Sequence, residues 1–185
     1  MVECVVMAII AYLIGSINFS VILSKKIAGF DVREKGSGNA GTTNMLRSVG
    51  KKAAAITLVC DVLKGVVAIL IAMFIGKTVQ GSNGALLVQV AGIAVILGHT
   101  FPVFFKFKGG KGVATSLGVL IMSNWQIGLI CLVFALILIA LTQMVSVGSI
   151  AAAILYPVLT LFIPQNYIVP GNYLIYSIIL AVFIV

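Results

Sequence analysis

The sequence predicts an all-α protein, a polytopic transmembrane bundle of seven helices, some of them short or broken. Three observations predict it. The 185 residues are 62% hydrophobic and 9% charged, against about 45–50% apolar and about 25% charged in soluble domains. So apolar a chain lacks the polar surface to cover itself in water, and lipid is its solvent. Its apolar residues also fall into runs near the roughly 20 that a spanning helix needs. Finally, the basic residues behind the net charge of +8 gather in two connecting loops.

The first run, Val2–Leu23, follows Met1-Val2-Glu3, which is no basic n-region, and no small-residue cleavage site comes after it. It is therefore read as a retained helix and not as a signal peptide. Segment 2, Ala53–Ile75, is interrupted by Asp61 and Lys64. Segment 3, Ala85–Phe105, has His99 and Pro102 near its end. The run Val113–Leu141 is too long for one span and breaks at Ser123-Asn124. It divides into a short segment 4, Val113–Met122, and a segment 5, Trp125–Leu141. A short segment at membrane depth has to be buried against its neighbours. Segment 6 is Met144–Phe162, and segment 7 is Tyr173–Val185. Cys4, Cys60 and Cys131 lie far apart in apolar runs without metal-ligand spacing, so they are packing residues.

Charge sets the orientation. Loop 1, between segments 1 and 2, carries Lys25, Lys26, Arg33, Lys35, Arg47, Lys51 and Lys52, and loop 3 carries Lys106, Lys108 and Lys111. Loop 2 carries only Lys77, and the remaining loops carry no Lys or Arg. If all seven segments cross, loops 1, 3 and 5 share a side, and the positive-inside rule places them in the cytoplasm with the N-terminus outside. The same charges suit anionic lipid headgroups, worth roughly 1 kcal/mol per residue near the surface. The paired, broken helices in matching halves that mark many transporters are not evident.

The polar chemistry lies in those two loops. In loop 1, Gly36, Gly38 and Gly41 let the backbone approach a ligand closely, and successive N–H groups in such turns form anion-binding nests. Ser37, Asn39, Thr42 and Asn44 add neutral donors, and Arg47 adds a fork that matches phosphate oxygens. With Arg33 at the other end, the loop is read as an anion site. In loop 3, Gly109-Gly110-Lys111-Gly112 leads into segment 4 and sets N–H groups and a lysine at a helix N-terminus, a favoured place for phosphate. It is not a nucleotide P-loop, which needs Ser or Thr where Gly112 stands and Gly where Phe105 stands. Phe101, Phe104, Phe105 and Phe107 read as an interfacial aromatic belt.

Three further residues stand beside these loops. Asp61 and Lys64, at i and i+3, share a helical face; they form either a mutually neutralising pair or a pair in which Lys64 reaches the substrate. His99, the only histidine, is either a structural residue or a base. Phe104 occupies the position where an aspartate would support the His-x4-Asp mechanism of acyl-CoA-dependent acyltransferases. Ser146 in loop 5 is either a further donor or a helix N-cap.

Gly15-Ser16-Ile17, the run Gly36–Arg47, Asp61-Val62-Leu63-Lys64-Gly65, and Gly98-His99 through Thr115 together resemble the bacterial acyl-phosphate:glycerol-3-phosphate acyltransferases. These are small integral membrane enzymes that make lysophosphatidic acid in phospholipid synthesis. The resemblance runs along essentially the whole chain. It implies seven helices, a cytoplasmic active site, and a single transmembrane catalytic domain over residues 1–185. It implies acyl phosphate and glycerol 3-phosphate as substrates and no cofactor, metal, nucleic acid or obligatory protein partner. By that resemblance Ser37, Arg47 and Lys111 are catalytic. The loop around Gly38, Asn39, Gly41, Thr42 and Asn44 is, by the same resemblance, phosphate-binding, and the reading of the residues themselves adds Lys64, His99, Gly109, Gly110 and Ser146 as substrate- or phosphate-binding candidates.

Two departures stand out. Asn18 occupies a position where the family often has proline. The family also continues past its seventh helix with His-Arg-x-Asn-Ile and a later glutamate. Segment 7, with about 13 apolar residues, covers only about 20 Å of a roughly 30 Å core, so a continuation beyond Val185 is expected. The competing reading from the residues is a transporter or channel for a phosphorylated anion. It calls for basic sites on both faces, and a structural membrane subunit is a third reading.

Overall fold

The computed structural model describes residues 1–79, 81, 83–163 and 173–184; Val185, the expected end of segment 7, lies outside them. Among the described residues the protein is helical, without strands. Five segments are long and apolar enough to cross a membrane: Val2–Ala28, Lys51–Thr78, Gly84–Phe105, Trp125–Thr142 and Val145–Phe162. Two shorter apolar helices make up the seven expected segments.

The first segment is broken where the sequence suggested one helix. α1 (Val2–Gly15) stops before Ser16, and α2 (Phe19–Ala28) starts after Asn18. Asn18 is extended, and its Oδ1 accepts from Val21 N at 3.2 Å and Ser20 Oγ at 2.7 Å. The bend is thus made here by an N-cap. A short α3 (Thr42–Ser48) lies within loop 1. α4 (Lys51–Thr78) has 28 residues, about 42 Å at 1.5 Å per residue.

α5 (Gly84–Thr100) ends five residues sooner than expected. Phe101 precedes Pro102 and is pushed out of helical geometry, at φ −122° and ψ 65°. A 3-10 turn, Val103–Phe105, follows. α6 (Val113–Ser123), the expected short segment, has most of its face buried. α7 (Trp125–Thr142) is capped by Asn124, whose side chain accepts from Ile127 N. α8 (Val145–Phe162) and α9 (Leu174–Ile184) complete the chain.

Two close crossings hold the site-bearing half together. α1 packs on α5 with backbones in contact: a Cβ on Gly15 would collide with Val95 O, and one on Gly98 with Tyr12 O. α4 packs on α6 in the same way, Gly65 against Thr115 O and Gly118 against Val62 O. Without a water-driven hydrophobic force in lipid, such small-residue crossings supply the packing. Met7, Ile69, Val95, Ile96 and Val119 fill the apolar core between these helices. α7, α8 and α9 pack in succession beside them, and α7 turns Ile130, Val133, Leu136 and Ile137 outward, as lipid as solvent allows.

Candidate functional site

Loop 1 is built around one buried side chain. The Asn44 amide nitrogen donates to the carbonyls of Val32 at 2.8 Å, Lys35 at 3.0 Å and Asn39 at 3.0 Å. Its Oδ1 accepts from Ser37 N at 3.0 Å and Ser48 Oγ at 3.4 Å. Gly36 and Gly38 take φ of 58° and 72°, which lets the chain turn about that amide; a Cβ on Gly36 would collide with Asn44 Oδ1. Asn44 therefore shapes the loop from inside, where the sequence suggested a donor to the ligand. Ser37 and Gly38 are exposed on the outside of the turn, Asn39 and Gly41 are half-buried, and Thr42 Oγ1 is buried without a hydrogen-bond partner among the described residues.

Loop 3 docks directly onto loop 1. Ala40 N donates to Gly109 O at 3.4 Å. Arg33 Nη1 donates to Phe105 O at 2.7 Å and Lys108 O at 3.0 Å. The rest of the Arg33 fork grips Asp31, Nε to Oδ1 at 2.9 Å and Nη2 to Oδ2 at 2.7 Å. That grip, with Lys25 at 3.3 Å, holds the Asp31 carboxyl far below the usual carboxylate range, the Arg33 hydrogen bonds being the largest cause. Arg33, counted in the sequence as one end of an anion site, is thus committed to protein acceptors. Gly109 N donates to Thr100 O at 3.0 Å and Gly110 N to His99 O at 3.1 Å. Gly110 is tightly enclosed: a Cβ there would collide with His99 Nε2 and stand 2.9 Å from Ala40 O.

Beneath the loops lies a charged cluster inside the bundle. Asp61, Lys64 and His99 are 1%, 4% and 3% exposed. Lys64 Nζ donates to Gly15 O and Ile17 O, both at 3.1 Å, and lies 2.8 Å from His99 Nδ1. Asp61 Oδ1 is 2.9 Å from Lys64 Nζ and 3.5 Å from His99 Nδ1. The first contact is an ion pair outside hydrogen-bond alignment, since Oδ1 has no hydrogen-bond partner among the described residues. Lys64 thus caps the carbonyls where α1 breaks, as a cation at a helix C-terminus should. This places it inward, away from the reach towards substrate that the sequence allowed.

The remaining expected residues separate. Arg47, in the last turn of α3, and Lys111, just before α6, are exposed, and neither forms an ion pair among the described residues. Ser146 is exposed in the first turn of α8, a helix packed chiefly on α7 and α9. The N-cap position there is Met144, so the capping role considered for Ser146 is not the one it has. Of the phenylalanines, Phe101, Phe104 and Phe107 are exposed, while Phe105 lies under the Arg33 guanidinium, 6.0 Å from its ring centroid. Three ties went unseen in the sequence. Tyr12 Oη donates to Phe101 O at 2.7 Å, Ser16 Oγ accepts from Val103 N at 3.3 Å, and Asp31 orients Arg33. Only the Asp-x-Arg spacing of the last was a local signal.

The arrangement offers exposed cations and glycine-rich backbone in two docked loops, suited to phosphate, over a buried charged cluster. Comparison with known proteins agrees with that chemistry. Residues 5–185 match the family model described as glycerol-3-phosphate acyltransferase. The glycerol-3-phosphate acyltransferase of Thermoanaerobacter pseudethanolicus is 51% identical over 84% of this chain and 75% of its own length. That of Clostridioides difficile is 45% identical over 88% of this chain and 79% of its own. Among solved structures, PlsY (YgiH), an integral membrane glycerol 3-phosphate acyltransferase, in its glycerol 3-phosphate form superposes with a TM-score of 0.84. The identity is 36%, covering 98% of this chain and 86% of that one. The lysophosphatidic acid form gives 0.81 at 34% identity, over 98% and 85%.

Proposed function

Because the chain belongs to the glycerol-3-phosphate acyltransferase family, we propose that it acylates glycerol 3-phosphate from an acyl phosphate, releasing lysophosphatidic acid and inorganic phosphate. Acylation of glycerol 3-phosphate, a step of phospholipid synthesis, is the family's reaction. The acyl phosphate donor, direct transfer, and a single catalytic domain are our reading. So are a cytoplasmic site and a bacterial inner membrane, on the charge of loops 1 and 3.

The observation that carries this reading is the docking of loop 3 on loop 1 through Arg33 and Ala40. It sets two glycine-rich, basic segments side by side, and both proposed substrates carry phosphate. Arg47 and Lys111 hold the phosphates, with the loop N–H groups and the Ser37 and Thr42 hydroxyls. Gly109 and Gly110 let loop 3 pack closely on His99 and Ala40. Asn44, Lys64 and His99 shape and support the loops from inside. The glycerol hydroxyl attacks the acyl carbonyl, the C–O bond to phosphate breaks, and a substrate phosphate oxygen takes the hydroxyl proton. An acyl phosphate is a mixed anhydride with a good leaving group, so positioning and charge stabilisation are the main tasks. Direct transfer is supported by the surroundings of Ser37. Activating a serine takes a base within hydrogen-bond reach, and the one histidine of the sequence, His99, is buried with Nδ1 on Lys64.

The test is transfer by purified protein in detergent, with glycerol 3-phosphate as acceptor and acyl phosphate or acyl-CoA as donor. Lysophosphatidic acid is expected from acyl phosphate alone. Product from acyl-CoA at equal rate overturns the donor assignment. Glycerol 3-phosphate flux into proteoliposomes without acyl transfer overturns the enzyme reading in favour of transport.

A further inference from the structure

Loop 3 contains a strained turn. Lys106 and Phe107 both take left-handed backbone, at φ 58° and 57°. One such non-glycine residue is uncommon, and for a bulky side chain it is costly unless surrounding contacts over-determine it. The two carbonyls that flank the turn, Phe105 O and Lys108 O, are the two that Arg33 Nη1 bridges. Inside the turn, Phe105 N and Phe107 N both donate to Pro102 O, at 3.1 and 3.0 Å, and Lys108 N donates to Phe105 O at 3.3 Å. Gly109-Gly110-Lys111 follows at once, so any relaxation of the turn is passed to Lys111. At its other end Arg33 is anchored by Asp31 through two hydrogen bonds. Asp31 caps, and Arg33 lies within, the 3-10 turn Val32–Glu34 that leads into Ser37 and the Asn44-centred loop.

The geometry points to Arg33 as a positioning residue, a guanidinium staple that closes the strained turn of loop 3 and so sets where Lys111 stands relative to Ser37 and Arg47. This rests on the proposed reaction for its catalytic consequence, and on the fold alone for its structural one. Arg33 does not touch substrate in this assignment; four of its five side-chain donors are taken by Asp31, Phe105 O and Lys108 O. A lysine keeps the charge but cannot span two carbonyls and a bidentate carboxylate together.

Two measurements on the full chain in nanodiscs test it. The first is amide hydrogen exchange over residues 101–112 without substrate. In Arg33→Lys the amides of Phe105, Phe107, Lys108 and Gly109 are expected to exchange about tenfold faster or more, with α4 and α5 unchanged. Asp31→Asn, which loosens the anchor, gives the same pattern at smaller size. The second is kcat/KM for glycerol 3-phosphate. It is expected to fall about 10- to 100-fold in Arg33→Lys, and to fall no further when Arg33→Lys is added to Lys111→Ala, because both changes act through one group. Unchanged exchange in residues 101–112 overturns the staple. Exchange that rises across α4 and α5 as well assigns Arg33 to general stability and also overturns it. Independent, multiplicative losses in the double variant overturn the action through Lys111. Should wild-type protein fail to turn over acyl phosphate, the reaction assignment fails, and the exchange arm decides the staple by itself.

Discussion

Lys64 Nζ stands 2.8 Å from His99 Nδ1. As an ammonium, with three donors and no acceptor, Lys64 would make Nδ1 the accepting nitrogen and leave the imidazole proton on Nε2. The other two Lys64 donors go to Gly15 O and Ile17 O. In that tautomer His99 presents its N–H to the wall formed by Gly110 and Ala40.

Removing that ammonium leaves Asp61 buried and unpaired. Breaking one partner of a buried pair costs about 3–5 kcal/mol. Lys64→Met is expected to lower thermal stability in detergent sharply, and Asp61→Asn in the same chain to restore part of it. In wild type, nitrogen NMR of His99 should show Nε2 protonated and Nδ1 not. A protonated Nδ1 contradicts the donor count.

Gly110→Ala tests the contact between the buried cluster and the loop. Its Cβ meets His99 Nε2 and the Ala40 carbonyl, both on packed elements, so the loop has to shift. A displacement of about 1 Å costs up to about 100-fold in rate. The expected result is a large loss of kcat/KM for glycerol 3-phosphate with an unchanged melting temperature. Normal kinetics would mean the loop is looser than the geometry states.

Arg47 is exposed and free of carboxylate partners among the described residues. Arg47→Ala should lose most activity, and Arg47→Lys should recover little, because a point charge does not replace a bidentate fork. Near-normal turnover in Arg47→Lys at saturating substrate removes the bidentate role.

Ser37→Ala should lower turnover, and no acyl-enzyme should be trapped in wild type. Rapid quench with acyl phosphate and mass spectrometry is the measurement. An acylated peptide spanning Ser37 rules out direct transfer.

The Asp31–Arg33 grip should be insensitive to pH over the working range. The folded Asp31 pKa lies below its unfolded value, so the grip contributes fully above about pH 4. It is lost only as pH falls from there towards the folded value. Exchange protection of residues 101–112, corrected for intrinsic rates, should be flat from about pH 8 to about pH 5. A loss near pH 6 would show that another group carries it.

The spanning segments were legible because lipid demands long apolar runs, and the expected ends of segments 4, 5 and 6 differ from the structure by a residue. The break in the first segment was not, because Ser16, Asn18 and Ser20 are too few to lift a run of this length out of the apolar range. Nor was α3, where glycine density masked a short helix. The basic loops, with Ser37, Arg47 and Lys111, were legible from composition. The distinction between residues that face outward and residues that build the loops was not. Asn44 and Arg33 look like ligand donors in the sequence, and only contacts across 9 to 75 positions, such as Asn44 to Lys35 and Arg33 to Lys108, show them turned inward.

The glycine crossings also divide the protein's mechanical response to its surroundings. Where α1 meets α5 and α4 meets α6 backbone to backbone, no side chain remains to re-pack, so those four helices tilt together or not at all. α7 and α8 meet lipid along most of their length and carry no buried ion pair. Hydrophobic mismatch, which costs fractions of a kcal/mol per Å, is accommodated most easily there. A thicker or thinner bilayer should therefore reorient the outer helices and leave the distance between loops 1 and 3 unchanged. Chain-length changes in the lipids that surround this protein would then reach its catalytic rate weakly.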